Sequence, residues 1–243
     1  METKKLKKKK KEKNKLVIAI SSRALFNLDL SHQIFKDEGI DAYAKHQQEN
    51  ENIILEPGVG FTLVKKLLQL NSKKTPIDVI LLSRNSADTG LRIFNSIEHY
   101  GLNISRAAFT RGESTHPFVG AFEADLFLSS NYNDVQKALQ SGYAAASIVE
   151  SKSNNSHPSQ LRIAFDGDAV IFSDESERIF QEQGLEAFHE NEKRSENIEL
   201  KAGPFKSFLV SLQKIQSTFP EQNNPIRTAL VTARSAPSHK RVI

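Results

Sequence analysis

The chain has 243 residues, of which 38% are hydrophobic, and its formal net charge is +4. That length allows one large soluble domain or two small ones. The absence of cysteine excludes disulfides, thiolate metal sites and cysteine nucleophiles. No apolar run has the length of a membrane span or of a secretory signal. We therefore expect a cytoplasmic protein without membrane contact.

The first fifteen residues differ in charge from the rest of the chain. They contain nine lysines and two glutamates, a net charge of +7, which leaves −3 on residues 16–243. Because such a segment has too little apolar content to form a core, we expect residues 1–15 to be a disordered basic tail. The alternative is loose, salt-sensitive binding to RNA or an anionic surface. The acidic remainder argues against specific nucleic-acid binding.

An internal repeat organises the rest of the sequence. A shift of 145 residues aligns residues 16–70 with residues 161–215 without a gap, and sixteen of the aligned positions are identical. We interpret this as a duplication. It predicts a first α/β copy over residues 16–150, a polar linker over residues 151–160 and a second copy over residues 161–243.

The first copy alternates strand and helix patterns. Apolar runs bounded by turn residues predict strands, amphipathic periodicity predicts helices, and Gly101 and Gly142 mark helix ends. This alternation is typical of parallel strands joined by helical crossovers. The predicted strands cover residues 16–20, 78–82, 104–109, 126–129 and 145–149, and the predicted helices cover residues 29–50, 61–70, 89–100 and 134–140.

The second copy repeats the opening strand and the helical segment, followed by a turn at Gly203. A helix is predicted over residues 205–216 and a strand over residues 228–232, with Ser235 as a candidate helix N-cap. The last residue, Ile243, corresponds to the middle of a helix in the first copy. We therefore expect the second copy to be incomplete.

Two carboxylates stand out in the stretch RIAFDGDAVIFSD, which begins at Arg162. Asp166 and Asp168 follow an apolar run that is typical of a strand buried on both faces. In an extended chain their side chains point the same way, about 6–7 Å apart along the backbone. Like charges this close resist ionising together unless a cation lies between them, which indicates a divalent metal. The alternative is a tight hairpin at the Asp-Gly pair, and the local pattern favours neither.

The stretch FDGDAV, together with LVTARS at residues 230–235, resembles motifs one and two of the haloacid dehalogenase superfamily. More narrowly, FDGDAVIFSDESERIF, the turn Gly203-Pro204-Phe205 and PIRTALVTARSAP resemble the cytosolic 5'-nucleotidase I family, from about residue 16 to the end. The resemblance implies a duplicated, Rossmann-like α/β fold of the haloacid dehalogenase type, with a parallel sheet flanked by helices. It also implies a Mg²⁺-dependent 5'-nucleotidase that hydrolyses a nucleoside 5'-monophosphate, with AMP as the expected substrate.

The same resemblance assigns roles to individual residues. Asp166 would attack the phosphorus and form an aspartyl-phosphate, and Asp168 would act first as acid and then as base. Gly167 would leave room for the phosphate, which Thr232 and the neighbouring backbone at Ala233 would bind. Mg²⁺ would bind Asp166, the main-chain carbonyl of Asp168 and water.

Two family features have no counterpart in this sequence. These are the third motif, a lysine, and the fourth, a pair of aspartates after a strand. We therefore expect this chain to be weak or inactive as a phosphohydrolase. The alternative function is a catalytically silent nucleotide-binding or interaction protein, and the sequence leaves open whether it forms a homo-oligomer.

The first copy lacks the carboxylate pair. Ser21, Ser22 and Arg23 hold the positions of the Asp-Gly-Asp stretch, and Ser83 holds that of Thr232. We expect the first copy to be degenerate and to perform no chemistry.

Other side chains near the two motifs have alternative interpretations. Arg234 either contacts the substrate or pairs with a surface acid. Phe172, Phe180 and Phe188 lie between the motifs, where this superfamily often builds a cap. Packing is the default role for these phenylalanines, and base stacking is the alternative.

Overall fold

A computed structural model of the protein describes residues 15–74, 76–149, 159–232, 234 and 241. Most of the predicted basic tail and linker lies outside these residues, as does the predicted N-cap at Ser235. From the tail, only Lys15 is described, and its Nζ lies 2.5 Å from a carboxylate oxygen of Asp78.

The first copy is built on a five-stranded sheet. Its strands are β1 (Leu16–Ser21), β2 (Ile77–Ser83), β3 (Arg106–Phe109), β4 (Leu126–Ser129) and β5 (Ala145–Ser147). They lie in the order β3-β2-β1-β4-β5, and every neighbouring pair is parallel. After β1, the strands β2 and β3 extend the sheet on one side of it, and β4 and β5 extend the sheet on the other side. This reversal places the carboxyl ends of β1 and β4 side by side, the position where such sheets form binding crevices.

Helices cover both faces of this sheet. They are α1 (Ser22–Leu25), α2 (Asp29–Glu49), α3 (Phe61–Gln69), α4 (Leu91–His99), α5 (His116–Ala121) and α6 (Tyr132–Gln140). Alternate side chains of β1 enter different apolar clusters, with Ile18 and Ile20 in one and Val17 and Ala19 in the other. A strand covered on both faces has no polar side, which explains its continuous apolar sequence.

The second copy contributes a pair of strands and two long helices. These elements are β6 (Leu161–Asp166), α7 (Glu175–Arg194), α8 (Lys206–Gln216) and β7 (Ile226–Val231). The buried face of α8 packs on β6, where the rings of Phe208 and Phe165 are 6.0 Å apart. The strands β6 and β7 are parallel, with Asp166 opposite Val231.

This pairing decides between the two interpretations of the Asp-Gly pair. The hairpin alternative is wrong, because β6 pairs in parallel with a strand some sixty residues later. The chain after Asp166 forms a turn over Gly167–Ile171, in which Asp168 and Ala169 have non-helical dihedral angles. The predicted α/β class, with a parallel sheet flanked by helices, is confirmed.

Helices α2 and α7 share an unusual backbone feature. Each is interrupted by a glycine, Gly39 with φ 88° and ψ −172° and Gly184 with φ 83° and ψ −176°. These glycines are aligned by the 145-residue shift, and a side chain at such a φ would be strained. The two helices therefore have the same kink. The domain boundaries inferred from the sequence stay predictions.

Membrane insertion receives no support from these helices. Among the residues that the structure describes, none of the helices combines the length and hydrophobicity needed to cross a bilayer.

Candidate active site

The turn after β6 contains one more residue than its equivalent in the first copy. The amide of Phe172 donates a 3.0 Å hydrogen bond to the carbonyl of Gly167, whereas the amide of Phe26 donates a 2.9 Å bond to the carbonyl of Ser22. The hydrogen bond of Phe172 spans five residues along the chain, and that of Phe26 spans four. A turn widened in this way is frequent at functional sites.

The structure therefore shifts the alignment of the two copies by one residue at this point. The ungapped sequence alignment pairs Phe26 with Ile171. In the structure Phe26 bridges to Pro57, and its counterpart Phe172 bridges to Ala202. The extra residue is accommodated near Ala169, which adopts the left-handed conformation with φ 60° and ψ 0°. For a residue with a side chain this costs about 1 kcal/mol, and the strain lies directly beside Asp168.

Asp166 presents an unpaired carboxylate at the end of β6. Its side chain is exposed, and no hydrogen bond joins its carboxylate to another residue in the described part of the chain. A carboxylate with no competing partner is available to a metal ion or to a phosphorus atom. The structure is thus compatible with the role that the sequence resemblance assigns to Asp166.

Gly167 and Thr232 lie next to each other at the ends of the two parallel strands. A methyl group built on Gly167 would lie 3.5 Å from Cβ of Thr232 and 3.6 Å from its Oγ1. The Thr232 hydroxyl oxygen also accepts a 3.2 Å hydrogen bond from the amide of Arg234. The next predicted phosphate-binding residue, Ala233, lies outside the described residues.

The first copy shows how this space is filled when the glycine is absent. There Ser22 replaces Gly167 and Ser83 replaces Thr232, and their buried hydroxyls form a 3.0 Å hydrogen bond with each other. Glycine in the second copy therefore leaves room for no more than a methyl group in ordinary contact with Thr232.

The Asp168 carboxylate is held by Arg234. The guanidinium donates from Nε at 3.1 Å to Oδ1 and 3.0 Å to Oδ2, and from Nη2 at 2.5 Å to Oδ1. Only 2% of the Arg234 side chain is exposed, against 23% for Asp168. Burial acts to lower the pKa of Arg234, but the hydrogen bonds and charges of Asp168 and Glu192 outweigh it and raise this pKa above its ordinary value. Arg234 therefore pairs with an acid of the site and not with a surface acid.

Behind Arg234 lies a buried carboxylate that sequence reasoning missed. Nη1 of Arg234 donates to Glu192, whose other oxygen accepts hydrogen bonds from the Ser176 hydroxyl at 2.7 Å and from Arg241 at 2.8 Å. The guanidinium of Arg234 also lies 5.6 Å from the ring centre of Phe188. Glu192 belongs to a strongly charged helix, and nothing in its local sequence distinguishes it from exposed neighbours.

The three phenylalanines between the motifs have different environments. Phe188 packs against Arg234, and its ring meets that of Phe180 edge-on at 6.4 Å. Phe180 is 44% exposed, so it is the phenylalanine of α7 that a ligand can reach. Phe172 forms the bridge to Ala202. Packing therefore accounts for Phe172 and Phe188, while base stacking by Phe180 stays a prediction.

A Mg²⁺ ion that keeps several of its waters would need few protein ligands at this end of β6. Among the described residues no group of three or more histidine, cysteine, aspartate or glutamate side chains is placed to hold a metal ion. Mg²⁺ commonly keeps several waters and is bound through one or two carboxylates and the substrate phosphate. Asp166 supplies such a carboxylate. Because the Asp168 carboxylate faces Arg234, its contribution would come from the main-chain carbonyl that the resemblance implies.

Comparison with known proteins identifies the family of this chain. A family model described as 5'-nucleotidase matches residues 8–243. Human cytosolic 5'-nucleotidase 1B is 40% identical over 241 residues, which cover 94% of this chain but 40% of that protein. The chain thus spans less than half the length of this relative, and no solved structure matches it. The match over nearly all of the chain shows that it belongs to the 5'-nucleotidase family.

Proposed function

We propose that this chain carries the nucleophile and part of the phosphate site of a Mg²⁺-dependent 5'-nucleotidase. Membership of the family supports hydrolysis of nucleoside monophosphates, and AMP is the substrate that we expect to be preferred. The observation that carries the proposal is that Gly167 lies beside Thr232 at the end of the strand that bears Asp166, whose carboxylate has no hydrogen-bond partner among the described residues.

In the proposed reaction a carboxylate oxygen of Asp166 attacks the phosphorus of the monoester. The bond from phosphorus to the ribose 5'-oxygen breaks, and the departing oxygen takes a proton from Asp168. Water then attacks the aspartyl-phosphate, gives a proton back to Asp168 and releases inorganic phosphate. The Thr232 hydroxyl binds a phosphoryl oxygen throughout. When bound, Mg²⁺ supplies positive charge that offsets the charge of the phosphoryl group.

The contacts of Asp168 differ between its two carboxylate oxygens. Its Oδ1 accepts from two guanidinium nitrogens and its Oδ2 from one. A carboxylate offers about four lone-pair sites, so Oδ2 retains one that faces no donor of the arginine. This is the oxygen that we assign to proton transfer.

A panel assay on the purified chain tests the proposal. Phosphate release is measured from several nucleoside 5'-monophosphates, with Mg²⁺ or with EDTA, and equilibrium binding of the same ligands is measured in parallel. We expect Mg²⁺-dependent release that is fastest for AMP and absent for 3'-AMP. Binding without turnover would instead select the silent nucleotide-binding or interaction protein. The low activity expected from the sequence stays a prediction, which the same assay measures.

Gly167→Ala is expected to lower kcat/KM for AMP by about 100-fold, since a small displacement of a bound substrate has effects of this size. The added methyl group would occupy the space beside the Thr232 hydroxyl. Stability should change little, because its nearest neighbours, at 3.5 to 3.7 Å, are in ordinary van der Waals contact. Steady-state kinetics and thermal unfolding of the same preparation measure both effects. Full activity in this variant would contradict the assigned phosphate position.

A further inference from the structure

The duplication supplies an internal comparison for the surroundings of Asp168. Asp168 and three residues near it have aligned counterparts in the first copy. In the second copy they are Asp168, Phe188, Glu192 and Arg234, and in the first copy they are Arg23, Tyr43, Gln47 and Asn85.

In the first copy this group is uncharged except for Arg23, and its hydrogen bonding is incomplete. The Tyr43 hydroxyl donates to Asn85 Oδ1 at 2.8 Å and accepts from Gln47 Nε2 at 3.0 Å. Three further buried polar atoms, Nε of Arg23, Oε1 of Gln47 and Nδ2 of Asn85, have no hydrogen-bond partner within the described ranges. Hydrogen bonds thus join Asn85, Tyr43 and Gln47, while Arg23 pairs with Asp29 instead.

In the second copy three of these positions, Asp168, Arg234 and Glu192, form a continuous chain of charges. Arg234 joins Asp168 on one side to Glu192 on the other, and Glu192 is held in turn by Ser176 and Arg241. The Glu192 side chain has no exposed surface. It therefore cannot contact a substrate, and the contact that connects it to Asp168 is Arg234.

Geometry explains why this connection matters for Asp168. A guanidinium is planar and its donors have a fixed fork geometry. Glu192 and the Phe188 ring fix the plane of the Arg234 guanidinium. They thereby also fix the direction in which its Nε and Nη2 donate to Asp168. A buried acid on α7 thereby determines the orientation of a carboxylate on the turn after β6.

We propose that Glu192 is a positioning residue, which orients the Arg234 guanidinium so that it holds the Asp168 carboxylate in one orientation for proton transfer. This inference rests on the proposed function for the part that concerns the reaction. The geometric part, that the position of Asp168 depends on Glu192, can be tested separately.

Glu192→Gln is the variant that tests the inference. Gln47 is only 1% exposed at the equivalent place in the first copy, so an amide of this size can be buried there. Glu190→Gln, an exposed position on the same helix, is the matched control. Crystal structures of both variants show the orientation of Asp168, and steady-state kinetics with AMP and Mg²⁺ give kcat and KM.

We expect Glu192→Gln to turn the Asp168 carboxylate away from its present orientation. It should lower kcat by about tenfold, the usual lower limit for losing a partner behind a reacting group, while KM changes by less than about twofold. Glu192→Asp, which keeps the charge, should recover part of kcat. Combining Glu192→Gln with Arg234→Gln should lower kcat no further than Arg234→Gln alone, because both act through one contact.

Several results would overturn the inference. An unchanged Asp168 orientation in the Glu192→Gln structure would do so, and so would an unchanged kcat or an effect confined to KM. If Glu192→Gln does not fold, Arg234→Lys takes its place, since lysine keeps the charge but lacks the fork. A wild-type chain that releases no phosphate would defeat the proposed function, and the orientation of Asp168 in the variant structure would then decide the positioning role alone.

Discussion

Asp166→Asn is expected to remove Mg²⁺-dependent phosphate release from AMP, with a fall in kcat of about 10⁴-fold or more, as for other residues that supply the attacking atom. An amide has the size of a carboxylate but neither its charge nor its nucleophilicity. The unpaired position of Asp166 in the structure means that the substitution breaks no hydrogen bond within the described residues. Folding and AMP binding should therefore persist while turnover is lost.

The measurement is phosphate release under single-turnover conditions, with AMP binding and thermal unfolding of the same variant. Asp174→Asn is the matched control, because Asp174 is exposed and pairs only with Arg178, at 3.5 Å, among the described residues. This control should keep its full rate. An Asp166→Asn variant with more than about a tenth of wild-type kcat would rule out Asp166 as the nucleophile.

Gly203→Ala is expected to destabilise the protein by about 3 kcal/mol. A methyl group at this glycine would lie 2.4 Å from the carbonyl oxygens of both Val170 and Phe172. These are backbone atoms of the turn that follows Asp168, and one of them, the Val170 carbonyl, also accepts a hydrogen bond from Phe205. They cannot move apart without distorting the turn itself.

Urea unfolding at equilibrium measures this loss. Gly167→Ala serves as the control, since its added methyl group meets only ordinary contacts. Gly58→Ala in the first copy should be destabilising to a smaller degree, because its closest backbone atoms are at 2.8 to 3.0 Å. A Gly203→Ala variant as stable as the wild type would mean that the turn after β6 adapts more easily than this packing indicates.

Strands and helices with clear periodicity were predictable from the sequence. The strand at residues 126–129 has the bounds that the apolar pattern predicts. The helix α5 was missed because its six residues are too few to show a period and include Pro117 and Gly120. The choice between a hairpin and a catalytic loop after a buried strand depended on pairing with β7, which no local pattern records.

For the candidate site, the repeat and the motifs identified the residues that occupy strand ends. Gly167 and Thr232 are neighbours in the structure, and their roles toward phosphate stay predictions. Two features could not be read from the sequence. The extra residue in the turn produces no gap in the sequence alignment of the two copies, because the 145-residue shift holds again at Gly39 and Gly184. The buried position of Glu192 depends on the packing of α7 against Arg234, which tertiary structure alone determines.

The buried hydroxyl pair of Ser22 and Ser83 has a consequence for ligand titrations. In the first copy these hydroxyls occupy the positions that Gly167 and Thr232 hold in the second. We therefore expect phosphate to bind to the second copy alone. Saturation of this chain with inorganic phosphate or AMP at these strand ends should reach a stoichiometry of one, with a single-site isotherm and no second, weaker event from the duplicated half.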